Sequence, residues 1–92
     1  SNLVDAFMTD TPKGLEEAEE AARSGDIQSV QRVAHSLKSS FASFGAKSAA
    51  SRSAEIEKHA SQLSAKETLR RIGHLREDFA ELKEILVGLI NK

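Results

Sequence analysis

Three histidines, His35, His59 and His74, are the side chains of this cysteine-free chain best suited to covalent or metal chemistry. A neutral imidazole nitrogen is a competent nucleophile near neutral pH because its unperturbed pKa is about 6.5. Glu55 and His59 have the i, i+4 spacing of a helical ligand pair, but one pair falls short of a metal site and no structural zinc is expected. His35 is set differently. Lys38 follows one helical turn later, where its ammonium offers a point charge to an anion carried on the ring. That is a contribution of about 1 kcal/mol by analogy with exposed ion pairs.

Where His35 points depends on the helix that carries it. Ile27, Val30, Ala34, Leu37, Phe41 and Phe44 recur at steps of three and four, the stripe of a helix packed in a bundle. At ~100° per residue, His35 lies roughly 135° from the centre of that stripe and faces away from the core. Gln28, Gln31, Arg32, Lys38, Ser39 and Ala42 share its surface. With Ser43 they form a polar, low patch against which another protein can lie. Phosphoryl transfer on imidazole suits this setting. The chain has no Gly-rich phosphate loop, no nucleotide motif and no obvious carboxylate cluster for Mg²⁺, so a partner must bring the metal and the carboxylate that exchanges the phosphoryl group.

The remaining elements follow from period and punctuation. Leu3, Val4, Phe7 and Met8 suggest a short first helix ahead of a break at Asp10, Thr11 and Pro12. GLEEAEEAARSG then reads as helix, with Leu15, Ala18 and Ala22 inward and Glu16, Glu17, Glu19 and Glu20 as a solvated face. Gly25 and Asp26 give a stop followed by an N-cap. The helix from about Ile27 to Phe44 ends at Gly45. A third long helix presents Ala46, Ala49, Ser53, Ile56, Ala60 and Leu63. Ser64 and Glu67 have capping-box spacing, and a last helix turns Leu69, Ile72, Leu75, Phe79, Leu82, Leu86 and Leu89 inward. The four phenylalanines are core candidates, Phe7 and Met8 with the reservation that a short terminal helix can instead meet a neighbouring domain. The expected fold is all-α: an antiparallel up-down-up-down four-helix bundle with a short additional N-terminal helix.

The residues AHSLKSSFASFGA, from Ala34 to Ala46, resemble the signature of histidine-containing phosphotransfer domains, the carriers of multistep two-component phosphorelays. The LVDAFMTDTP opening, the AARSGDIQSVQRVAH approach and the later EIE resemble the family too, so the likeness covers most of the chain. It implies that His35 is the phosphorylated histidine and Lys38 the lysine attending the phosphoryl group. Ser40 falls on a commonly small, hydroxylated position, Gly45 and Ala46 on the Gly-Ala that ends the helix, and Ile56 and Glu57 where a Leu-Glu pair is frequent. It further implies a reversible carrier with response-regulator receiver domains and a hybrid histidine kinase as partners. Such a carrier has no cofactor of its own, the Mg²⁺ lying on the receiver. Three positions depart from the family. Ser39 replaces a usual glycine beside the site. Phe41 is large where Ala or Ser is common, and Ala49 small where Leu is usual, an exchange in which the ring fills the space the shorter side chain vacates.

Composition agrees with this reading and narrows it. The 92 residues suit one domain over 1–92, and the resemblance admits either a free-standing carrier or the C-terminal module of a hybrid sensor histidine kinase. Thirteen basic and fourteen acidic side chains, net charge −1, are mixed along the chain and ask for neither nucleic acid nor an anionic membrane. No apolar stretch is long enough to span a bilayer. The expectation is a cytoplasmic monomer, tethered to the inner membrane only if a parent kinase holds it there. A phosphocarrier, not an enzyme acting alone, is the reading adopted. Its rival is a non-catalytic helical adaptor that binds signalling partners without phosphotransfer, and the intact His35 and Lys38 argue against it.

Overall fold

A computed structural model describes residues 2–91. They form four helices: α1 (Asn2–Ser24), α2 (Ile27–Ser43), α3 (Lys47–His59) and α4 (Ala65–Ile90), with a 3₁₀ turn at Ala60–Gln62 between the last two. Each helix reverses into the next through two to five residues, so neighbours in sequence run antiparallel. The pairs in contact are α1 with α2, α2 with α3, α3 with α4 and α4 with α1, a square bundle.

Two of the reversals are the same device. Gly25 and Gly45 adopt left-handed φ of 74° and 71°, which a side chain would resist. Around each, two bonds close the helix end. Asp26 N–H reaches Ala21 O at 2.9 Å and Gly25 N–H reaches Ala22 O at 3.3 Å, while Ala46 N–H and Gly45 N–H reach Phe41 O and Ala42 O at 3.0 Å. Asp26 then caps α2, its carboxylate accepting from Ser29 N–H at 3.2 Å and Ser29 Oγ at 2.7 Å. At α4, Ser64 Oγ accepts from Glu67 N–H at 3.0 Å. The reciprocal half of that capping box is missing, because Arg70 and Arg71 draw off the Glu67 carboxylate.

The expected short N-terminal helix is not a separate element. It is the first part of α1, which runs unbroken through Pro12. An interior proline costs about 3 kcal/mol by losing a hydrogen bond and crowding the preceding turn. Phe7 outweighs that cost. It is buried and touches three rings: Phe41 edge-on at 5.9 Å, Phe44 at 4.5 Å and Phe79 at 5.5 Å. Burying a Phe is worth about 1.5–3 kcal/mol, and each aromatic pair adds about 0.5–1.5 kcal/mol. The first turns are thus tied to the core from above the proline.

The core otherwise follows the stripes, with Leu15, Val30, Phe41, Ile56, Ile72 and Leu75 at 0–1% exposure. Phe41 is enclosed in the same apolar cluster as Ala49, and its ring partner is Phe7. Leu89 is a correction. It is 62% exposed, because the positions of α4 that pack on the core end at Leu86 and the helix continues for another turn. The third helix also stops short of Leu63, tightening to 3₁₀ after His59.

Candidate functional site

His35 sits mid-way along α2 with 59% of its side chain exposed, on the face opposite Val30, Ala34, Leu37 and Phe41. Its ring is oriented by a residue of another helix. Nδ1 lies 3.0 Å from Glu57 Oε2 and 3.3 Å from Oε1, across the seam between α2 and α3. A carboxylate can only accept, so the N–H of a neutral His35 belongs on Nδ1. Nε2 is left with the lone pair, on the ring edge away from Glu57. The tautomer is assigned from the partner's chemistry.

Lys38 joins the same carboxylate: its Nζ is 3.7 Å from Glu57 Oε1. Glu57 therefore holds ring and ammonium together, one by a hydrogen bond and the other by charge. The group is only partly covered, Lys38 at 37% and Glu57 at 32% exposure, so each pairing is worth a fraction of what it would be in the interior.

The other surface residues divide by flank. Gln28, Ser39, Ala42 and Ser43 are exposed and Gln31 is half-buried. Ser39 keeps its hydroxyl at the surface while its carbonyl accepts from Ser43 Oγ at 3.0 Å. Arg32 does not orient the ring. It turns to α1, where Nη2 meets Glu17 Oε2 at 2.6 Å, and it lines a shallow cleft with Asp10, Gly14, Ser36 and Ser40. The acidic run on α1 is accordingly not all solvated. Glu17 serves Arg32, and Glu19, 16% exposed, takes both Nε and Nη2 of Arg76 on α4 at 2.7 Å. That hydrogen bonding holds the Glu19 carboxyl below its usual range.

His59 and His74 lie apart from this site. His59 pairs with Glu55 at 3.6 Å and with Gln62 at 3.2 Å, and His74 faces Arg70 at 3.4 Å. No group of three or more metal-ligating side chains occurs among the described residues.

Glu57 is the functional candidate that spacing alone did not reveal. Its neighbour Ile56 marks the inner stripe of α3, which puts Glu57 on one edge of that stripe. Which edge faces α2 depends on the sense in which the bundle winds, and an apolar stripe is silent about that.

The family model described as Hpt domain matches residues 2–85. No curated protein and no solved structure matches the chain. The matched span takes in the whole of α1, α2 and α3 and every core-packing position of α4 but the last, Leu86, and with it the His35, Lys38 and Glu57 cluster. The chain belongs to the Hpt domain family, whose members act in histidine phosphotransfer within phosphorelays.

Proposed function

We propose that this chain is a phosphocarrier that takes a phosphoryl group onto Nε2 of His35 from a phospho-aspartate of one receiver domain and returns it to an aspartate of another. The observation that carries the proposal is the bond between His35 Nδ1 and Glu57, because it leaves the exposed ring nitrogen as the nucleophile. In the transfer, Nε2 attacks phosphorus, an N–P bond forms, and the P–O bond to the partner's aspartate breaks with the electron pair leaving on that carboxylate. The ring then carries a proton on Nδ1 and a phosphoryl group on Nε2, and so a positive charge. Glu57 stabilises that charge as it develops. Lys38 neutralises part of the phosphoryl charge.

The receiver supplies its own aspartate and Mg²⁺, and the chain needs no nucleotide. Docking is by the exposed face of α2, with Gln28, Ser39, Ala42 and Ser43 meeting the receiver around His35 and Gln31 and Arg32 at its edges. Because the N–P and acyl-phosphate bonds are both high in energy, flow runs in either direction according to which partners are charged. No helix among the described residues is long and apolar enough to cross a membrane. A cytoplasmic carrier, alone or as one module of a hybrid kinase, is the setting proposed.

Mixing the chain with receiver domains previously charged by acetyl phosphate tests this against the adaptor reading. Label should leave the receiver and appear on the wild-type chain, and His35→Gln should bind the receiver yet take no label. Binding with equal absence of label on both chains would establish the adaptor and dismiss the carrier.

A further inference from the structure

The seam between α3 and α4 holds a second concentration of charge, on the flank of α3 that faces away from α2. Between positions 47 and 76 the chain has seven lysines and arginines against three glutamates, in a protein whose net charge is −1. Five of the side chains there, Ser51 and Arg52 from α3 with Arg70, Arg71 and His74 from α4, line one cleft of about 240 Å³. Glu55 is the single carboxylate among its described lining residues.

The carboxylates that anchor these arginines do not line the cleft. Asp78 takes Arg52 through Nη1 alone, at 2.6 and 2.7 Å. Glu67 takes Nε and Nη2 of Arg70 at 2.9 and 2.6 Å and only Nε of Arg71 at 2.9 Å. Nε and Nη2 of Arg52 and both Nη groups of Arg71 are thereby available to another acceptor. An arginine already held in place loses less freedom on binding than a free one, which lowers the cost of ordering the site.

Asp78 and Glu67 offset two of the three guanidinium charges from outside the cleft, so what the lining offers an anion is the set of N–H donors that Arg52 and Arg71 leave unfilled beside a single lining carboxylate. Donors reach the cleft from two helices, so an acceptor with oxygens in several directions suits it better than a planar carboxylate, which engages a guanidinium fork in one plane. We propose that the α3–α4 cleft binds a phosphate dianion from solution, free or as a small monoester, at a site separate from His35. The second ionisation falls near pH 6 for a monoester and about one unit higher for the free ion, so the dianion is the major form of both at pH 7.5.

Amide and histidine NMR shifts of the full chain, followed at pH 7.5 and constant ionic strength, test the proposal with inorganic phosphate, glycerol phosphate and acetate. Both phosphates should shift Ser51, Arg52, Arg71 and His74 saturably, leaving His35 in place, and acetate should bind at least tenfold more weakly. If only inorganic phosphate saturates, the occupant is the free ion; if the ester binds at least as tightly, it is the monoester. Arg71→Gln should weaken binding about fivefold or more. Glu55→Gln, which removes the one carboxylate that lines the cleft, should tighten it two- to fivefold, and it keeps the test decisive if Arg71→Gln fails to fold. Shifts that grow linearly without saturation, acetate binding as well as phosphate, or affinity unmoved by Glu55→Gln would overturn it.

Discussion

At the scale of single residues, two substitutions of Glu57 separate orientation from charge. Glutamine keeps an acceptor oxygen for His35 Nδ1–H but loses the charge, whereas alanine loses both. Glu57→Gln should retain the tautomer with the proton on Nδ1 and transfer phosphoryl groups more slowly. Glu57→Ala should let the ring sample both tautomers, seen in its ¹⁵N shifts, and slow transfer about tenfold, equivalent to about 1.4 kcal/mol of barrier. An unchanged tautomer and rate in Glu57→Ala would remove Glu57 from the mechanism. The outward placement of His35 and Lys38 was legible in the sequence because a helical stripe states which residues on one helix turn away from the core. Glu57 belongs to another helix. Its meeting with His35 depends on register and winding between helices, information that no local pattern contains.

Among the elements, α1 is where local propensity and packing oppose each other. Asp10, Thr11 and Pro12 read as a break, and the helix passes through them because Phe7 is clasped by Phe41, Phe44 and Phe79. Removing the clasp should restore the break. Phe7→Ala is expected to cost about 3–5 kcal/mol and to expose the amides ahead of Pro12 to rapid hydrogen exchange, while Pro12→Ala should raise stability by about 1–3 kcal/mol. Protection ahead of Pro12 that survives Phe7→Ala would show the first turns to be held by something else. The opposite case is the pair of glycine-closed reversals, where sequence and structure agree because Gly25 and Gly45 carry their conformational demand locally. The end of α4 shows what a stripe leaves out: Leu89 keeps the inward period, but the packing has run out before it.

For the molecule as a whole, every seam of the square is crossed by an ion pair. Glu17 and Arg32 join α1 to α2, Glu19 and Arg76 join α1 to α4, and Arg52 and Asp78 join α3 to α4. The α2–α3 seam has no arginine in its cross-pair; His35 and Lys38 share Glu57 there. A permanently charged clamp is thus replaced, at the one seam proposed to react, by a ring able to change its proton and its cargo. The carboxylates set the acid limit. Arg76 holds Glu19 below its usual 4.5, and Arg70 and Arg71 bring Glu67 to about 2. Folded-state values below the unfolded ones mean that these groups stabilise the fold above pH 4.5 and cease to as pH falls from there toward 2. Urea midpoints should hold steady from pH 7 to 5 and then decline, and Glu19→Gln should lose about 1–2 kcal/mol at pH 7 and flatten part of that decline. A midpoint that rises on acidification would contradict these pairings. The claim that His35 carries the phosphoryl group on Nε2 meets its most direct test in ¹⁵N–³¹P correlation on histidine-labelled protein charged by a phosphorylated receiver. Phosphorus should couple to Nε2 of His35 and vanish in His35→Gln; coupling to Nδ1, or signal on His59 or His74 that survives the substitution, would contradict it.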